Sequence, residues 1–182
     1  MNTIFIENQH NKYFEKAWQI YEESFPVEEK RTLKEQIKLF DKKSFTMLCY
    51  VEEEIVLAIL FYWQIDSYTY LEHFAVNSTL RGRSYGSKIL QEFIDNNQHI
   101  ILEIEPIIDK ITQKRLDFYE RFDFKVNNHI HFQVPFRKNT QELQLIFLSH
   151  KKVLSVEEYT TLYQMMLKEM SYEDNILKYF KN

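Results

Sequence analysis

Glycine occurs only twice among the 182 residues, proline three times and cysteine once. Average usage near ~7% would give about a dozen glycines. The single Cys49 excludes an internal disulfide, and its place in the apolar run Phe45-Thr46-Met47-Leu48-Cys49-Tyr50-Val51 reads as a buried structural thiol. No apolar run approaches the ~20 residues that a membrane span requires. Basic charge is not in excess: 23 Lys and Arg stand against 27 Asp and Glu, a net charge of −4. The two signs are well mixed and form no basic stripe, which argues against a nucleic-acid partner. Clusters such as Lys42-Lys43 and His150-Lys151-Lys152 read as solvated corners. Met1 to Glu7 lacks a basic segment, a long apolar core and a cleavage site, so a secretory leader is not expected and a cytoplasmic location is.

Both glycines fall in one stretch, Arg81-Gly82-Arg83-Ser84-Tyr85-Gly86-Ser87. A β-rich run, Tyr68 to Val76, precedes it, and an apolar helical pattern follows. Glycine serves where a backbone takes positive φ or approaches a ligand closely. A strand, a Gly/Arg turn and a helix start make a place for a phosphate-bearing ligand. N–H groups at the helix N-terminus point outward, the dipole favours an anion, and guanidiniums add charge-assisted bonds.

The periodicities predict an α/β domain. Ile4-Phe5-Ile6 reads as a first strand, and Phe14, Trp18, Tyr21 and Phe25 recur at helical spacing before Pro26. A second helix is predicted with Leu33, Ile37 and Phe40 on its inner side. Phe45 to Val51 and Ile55 to Trp63 read as a hairpin across Glu52-Glu53-Glu54. The helix after the Gly/Arg turn buries Ile89, Leu90, Phe93 and Ile94. A strand at Ile100 to Glu105 follows, then a helix from Ile111 to Phe122 burying Leu116, Phe118, Tyr119 and Phe122. Phe124 to Val126, Ile130 to Phe136 and Glu142 to Leu148 supply the last strands. Ser155-Val156-Glu157-Glu158 is a capping box opening a helix with Val156, Tyr159, Leu162, Tyr163, Met166 and Met170 inward. Ser171 to Asp174 repeats the signature before a short helix with Ile176, Leu177 and Phe180.

Arg81 to Gly86 is similar to the pyrophosphate signature [Q/R]-x-x-G-x-[G/A] of the GNAT-type N-acetyltransferase superfamily, with Ser84 where glycine is usual. Leu71 to Val76 is similar to the family's preceding strand, and Phe118-Tyr119-Glu120-Arg121-Phe122-Asp123-Phe124 resembles its F-Y-x-x-x-G-F segment. There Asp123 replaces glycine, so an aspartate must make the bend. Trp18 to Pro26 resembles the helix and loop that border the acceptor site. The resemblance implies a single GNAT-like domain over residues 1–150, a mixed central β-sheet flanked by helices, with a C-terminal helical segment, 151–182, packed on it. It implies acetyl-coenzyme A as co-substrate. Cofactor contacts would come from main-chain amides at Phe74, Ala75 and Val76 and from Arg81, Gly82, Arg83, Ser84, Tyr85, Gly86 and Ser87. Thr112 stands where many members carry an asparagine that contacts coenzyme A.

An amine attacking a thioester needs a free lone pair, support for the oxyanion and a proton for the leaving thiolate. Glu72 is the first candidate base, with Tyr70, His73, His131 or water as alternatives. Strand alternation puts Tyr70, Glu72 and Phe74 on one face and Leu71, His73 and Ala75 on the other. Tyr119 is the candidate acid, and a backbone N–H at Phe74 to Val76 would meet the oxyanion. His129 and His131 share a strand face without a third ligand nearby, so they read as lining an acceptor pocket or facing solvent rather than holding metal. Glu103 and Glu105 also share a face; they would attract a cationic acceptor or stay solvated. The expected activity is N-acetylation of a small-molecule amine or exposed amino group. The alternatives are a regulatory module that binds coenzyme A without turnover, and a structural protein that dimerises through its long C-terminal helix.

Overall fold

The structure is a computed structural model that describes residues 1–136 and 142–170. It resolves into two compact units, Met1–Gln64 with Thr69–Gln98, and Ile65–Tyr68 with His99–Asn182.

In the first unit, β1 (Asn2–Phe5) pairs antiparallel with β2 (Phe45–Glu52), and β2 pairs antiparallel with β3 (Ile55–Ile65). β4 (Tyr68–Val76), all but its first residue in this unit, lies beside β3. Helices α1 (Phe14–Ser24), α2 (Leu33–Lys38) and α3 (Tyr85–Asn96) complete it. Val56 to Phe61 are all buried, the mark of a strand covered on both faces. Cys49 is buried and unbridged, and burial pushes its thiol up to about 12, as suits an inert core residue.

The expected inner side of the second helix is displaced. Leu33 is 43% exposed, whereas Gln36 and Leu39 are buried. The reason is its length: α2 ends at Lys38 and tightens into a 3-10 turn over Leu39–Asp41, so the 3.6-residue period does not carry through to Phe40. A capping box starts the helix, with Thr32 accepting from the Glu35 N–H and Glu35 reaching back to the Thr32 N–H.

A chain with two glycines must build left-handed turns from other residues. Among the described residues Glu53, Glu54, Asp66, Ser84, His99, Asp123 and Lys151 all have positive φ. The β2–β3 hairpin closes with Glu52 opposite Ile55, and its two turn residues have φ of 49° and 64°. Such a two-residue turn ordinarily takes Asn-Gly. Replacing Glu53→Asn and Glu54→Gly together is expected to stabilise the protein by about 1 kcal/mol through relief of backbone strain. A rise in melting temperature of roughly 2–4 °C would register it. The Lys12–Glu54 ion pair lost in the exchange is solvent-exposed and contributes little.

In the second unit, β8 (Gln144–His150) pairs antiparallel with β5 (Ile100–Ile104), β6 (Phe124–Val126) and β7 (His131–Phe132). Helices α4 (Lys110–Glu120) and α5 (Val156–Met170) belong to it. The strand expected over Ile130 to Phe136 is therefore only two residues long. Asp123 makes the bend after α4 at φ 64°, as an aspartate can. Of the expected inner residues of α4, Tyr119 is buried, while Leu116, Phe118 and Phe122 are half-buried. The Ser155–Glu158 capping box opens α5. Val156, expected inside, is 72% exposed, and Leu167 joins Leu162, Met166 and Met170 in the core instead. The capping signature at Ser171 to Asp174 and the helix after it lie outside the described residues. No described helix is long and apolar enough to cross a membrane.

Candidate functional site

The Gly/Arg turn begins where β4 ends. Buried Asn77 fastens this point: its side chain donates to the Val56 carbonyl at 3.1 Å and accepts from the Thr79 N–H at 3.2 Å. Arg81 Nε reaches back to the Val76 carbonyl at 3.4 Å. Arg81, Gly82, Arg83 and Ser84 are all exposed. Gly82 has φ of +80°, and nothing lies within 4 Å of where its Cβ would stand. Torsion, not crowding, requires the glycine. Ser84 also adopts the left-handed region, φ 62° and ψ 8°, so the turn does demand positive φ where the GNAT pattern usually has glycine.

Ser84 is the N-cap of α3, but its side chain makes no capping bond. The first N–H groups of the helix, at Tyr85, Gly86 and Ser87, therefore have no intrahelical acceptor and no side-chain cap. Outward N–H groups, a helix dipole and two exposed arginines suit an anionic pyrophosphate. Tyr85 is tethered by its hydroxyl to Glu52 at 3.2 Å. Ser84→Val should cost ~1–3 kcal/mol, because a β-branched residue resists positive φ, whereas Ser84→Gly should fold at least as stably. Chemical denaturation of the two variants checks this.

Glu72 stands in different surroundings from those expected of a base. Its side chain is 0% exposed. Arg31 grips it with two bonds, Nη1 to Oε2 at 2.6 Å and Nη2 to Oε1 at 2.7 Å. Trp63 Nε1 donates to Oε1 at 2.9 Å, and His73 Nδ1 lies 3.2 Å from Oε2. Burial alone would push this carboxyl up, but the Arg31 guanidinium, helped by His73, holds it at about 2. A carboxylate so committed is a poor acceptor for an ammonium proton. Strict alternation of Glu72 and His73 also fails, since the two side chains meet. Glu72 as a residue is nonetheless half-buried, so its accessible area is main chain. Half-buried Phe74 and Val76 continue this line, with Ala75 buried between them.

Sequence reasoning missed Arg31. It is 2% exposed, its N–H donates to the Tyr21 hydroxyl at 2.9 Å, and its guanidinium lies 5.7 Å from the Trp63 ring. Its carboxylate partner is 41 residues away, beyond any local pattern. Tyr70, another alternative base, is buried at 1% exposure.

In the second unit Tyr119 is buried on the last turn of α4, its ring edge-on to Phe118 and Phe124 at 5.3 and 5.6 Å. Burial pushes its phenol up to about 12; Arg115 opposes this and Glu105 adds to it. Arg115, one helical turn earlier, forms an ion pair with Glu105. No side chain among the described residues holds the Tyr119 hydroxyl. Thr112 is spent on the helix start: its Oγ1 accepts from the Ile108 and Asp109 N–H groups at 3.0 and 3.1 Å. Asp109 caps the same turn in return. An asparagine-like contact to coenzyme A from Thr112 does not fit that commitment.

His131 and Glu103 do not face solvent. His131 Nε2 lies 2.6 Å from Glu103 Oε1, with the two side chains 0% and 4% exposed. The other ring nitrogen, Nδ1, lies 2.8 Å from the Tyr159 hydroxyl. His129 is separate from this chain of bonds, with Nε2 3.0 Å from the Leu154 carbonyl and its ring stacked on Tyr159 at 4.2 Å.

The sequence pattern of the acetyltransferase (GNAT) family matches residues 10–124. YjbC of Bacillus subtilis (strain 168), an acetyltransferase by name, is 32% identical over 105 residues, 57% of this chain and 53% of that protein. The match thus spans about half the length of that relative. A GNAT-family structure from Bacteroides thetaiotaomicron superposes with a TM-score of 0.84 at 22% identity, covering 94% of this chain and 100% of the other. An aminoglycoside 6'-N-acetyltransferase complexed with coenzyme A superposes with a TM-score of 0.59 at 11% identity, covering 82% and 96%. The fold is thus the mixed α/β fold of those structures. By the match across most of its length, the chain belongs to the GNAT acetyltransferase family.

Proposed function

We propose that the protein transfers the acetyl group of acetyl-coenzyme A to a primary amine, of a small molecule or an exposed amino group. The observation that carries this reading is the left-handed turn at Gly82 and Ser84, which opens onto the uncapped start of α3. It supplies main-chain donors and two exposed arginines at one place, as a pyrophosphate needs. Arg81 to Ser87 would bind that group, and Phe74, Ala75 and Val76 would meet the pantetheine arm and the oxyanion through main-chain N–H groups. When bound, acetyl-coenzyme A supplies the activated thioester. Tyr119 would donate a hydrogen bond to the departing sulfur.

Acetyl-coenzyme A at a hundred times its Kd should stabilise the fold by about 2.7 kcal/mol, a rise of roughly 5–10 °C in melting temperature. Gly82→Val should abolish that shift, because valine cannot hold φ near +80°. Release of free thiol with a panel of primary alkylamines then separates a transferase from a module that only binds. A wild-type protein with no thermal shift at millimolar ligand would overturn the reading.

A further inference from the structure

The reaction needs a group to take the acceptor's proton, and Glu72 does not fit that task. A second candidate stands on β5, β7 and α5. His131 is buried between Glu103 on one ring nitrogen and Tyr159 on the other, at 2.6 and 2.8 Å. A base within hydrogen-bond reach of a hydroxyl, itself oriented by a carboxylate, is the constellation of an activated proton acceptor. We propose that Tyr159, His131 and Glu103 form a proton relay that accepts the ammonium proton of the acceptor amine. The proposal rests on the transferase reading and supplies its base.

The hydrogen bonds fix the direction of the relay. Glu103 Oε1 holds Nε2 at 2.6 Å, so Nδ1, 2.8 Å from the Tyr159 hydroxyl, is the ring nitrogen that receives the relayed proton. The phenol has one hydrogen and two neighbours, Nδ1 at 2.8 Å and the Ile130 carbonyl at 3.4 Å. The shorter bond takes it. Burial, with Glu103 adding to it, pushes the Tyr159 phenol up to about 12, so it rests protonated at neutral pH. An ammonium gives its proton to the phenol oxygen while the phenolic hydrogen passes to Nδ1. The products are a neutral amine and an imidazolium paired with Glu103. The amine nitrogen then forms the bond to the acetyl carbon, the carbon–sulfur bond breaks, and the nitrogen's second proton goes to the thiolate. His131 returns one proton to solvent, and the balance closes.

Placement supports this use. Glu103 is half-buried as a residue although its side chain is 4% exposed, so its accessible area is main chain and β5 is open there. Two residues on, a strand repeat of ~7 Å, Glu105 pairs with Arg115 on the turn before Tyr119. One end of β5 thus holds the relay carboxylate and the carboxylate beside the proposed acid. Tyr159 is half-buried, stacked between His129 at 4.2 Å and Tyr163 at 5.9 Å. The groups facing His131 are Glu103 from β5, Phe147 from β8, and Tyr159 and Tyr163 from α5.

Tyr159→Phe keeps the stacked ring and removes the relay's entry. Acetyl-coenzyme A affinity by calorimetry should be unchanged, and kcat/KM for a responsive alkylamine at pH 7 should fall about 10²-fold. At pH 10, near the ~10.4 of an alkylamine, the acceptor no longer needs a base, and the deficit should shrink to under about threefold. A deficit that is equal at both pH values, or under threefold at pH 7, would overturn the relay and leave His131 a structural link. Nitrogen-15 spectra of the wild type give a readout free of turnover. The resting ring should be the neutral Nε2–H tautomer, and an imidazolium or an Nδ1–H tautomer would sink the proposal. A wild-type protein that binds no acetyl-coenzyme A would instead remove the transferase reading itself.

Discussion

Tyr119→Phe is expected to lower turnover about 10²-fold while leaving acetyl-coenzyme A affinity and thermal stability nearly unchanged. The change removes one oxygen and keeps the ring against Phe118 and Phe124. It leaves the Gly/Arg turn untouched. The magnitude follows from the residue's surroundings. A phenol pushed up to about 12 is a weaker acid than a thiol of ~8.5, so full transfer to the sulfur runs uphill by roughly 5 kcal/mol. In the proposed mechanism Tyr119 would therefore act chiefly by hydrogen-bonding the charge that develops on sulfur, while the acceptor nitrogen's second proton completes the protonation. That places the loss at the low end of the 10²- to 10⁴-fold reach of a positioned acid. A lowered kcat with unchanged cofactor Kd is the signature of an interaction made in the transition state. Wild-type turnover in the variant would take Tyr119 out of the mechanism.

Arg115 offers a lesser test of the same group. It forms an ion pair with Glu105 one turn before Tyr119, and it lowers the phenol while Glu105 raises it. Arg115→Met leaves Glu105 without that partner, so the phenol becomes a weaker donor. Turnover is expected to fall about two- to fivefold, in the range of roughly 0.4–1 kcal/mol that a part-exposed ion pair contributes. Steady-state kinetics beside a thermal melt would check it, and a drop in stability with unchanged kcat would contradict it.

What the sequence made legible was local. The Gly/Arg turn stands out because a chain with so little glycine places both copies there, and the structure shows positive φ at Gly82. The Ser155–Glu158 box, the β2–β3 hairpin and the buried face of α3 are equally short-range, set by spacing of three or four residues or by alternation of two. The demand at Ser84 was visible only as a question, because a pattern cannot report a torsion. What stayed hidden depends on pairs distant in sequence. Arg31 carries no local signal, and only β4 gives it Glu72. His131 reads as lining an acceptor pocket or facing solvent on a long strand, yet Glu103 and Tyr159, each 28 residues away, take both its nitrogens. Gln36 carries no local signal either. It is 0% exposed because α2 is too short for its period to set a face.

Arg31→Met is expected to destabilise the protein by about 3–5 kcal/mol at pH 7, the largest stability effect of any single change considered. The cost comes from the partner left behind, because Glu72 would remain a buried carboxylate without its cation. The pH dependence gives the sharper signature. In the wild type Glu72 titrates at about 2 against an ordinary 4.5, a depressed carboxylate. Its stabilisation is fully present above pH 4.5 and is lost as pH falls from there through 2, about 3 kcal/mol in all. Without Arg31, burial dominates and lifts the carboxyl above 4.5. The sign then reverses: the variant is most stable when Glu72 is protonated and loses stability as pH rises beyond 4.5. From this group the wild type is level between pH 4.5 and 7, whereas the variant declines. Adding Glu72→Gln should remove that slope and recover much of the loss, since the amide oxygen can still accept from Trp63 Nε1. Urea denaturation of the three proteins at pH 4.5 and 7 measures both effects. An Arg31→Met protein within 1 kcal/mol of wild type, or one whose stability rises between those two pH values, would refute the claim that Arg31 compensates the buried Glu72 carboxylate.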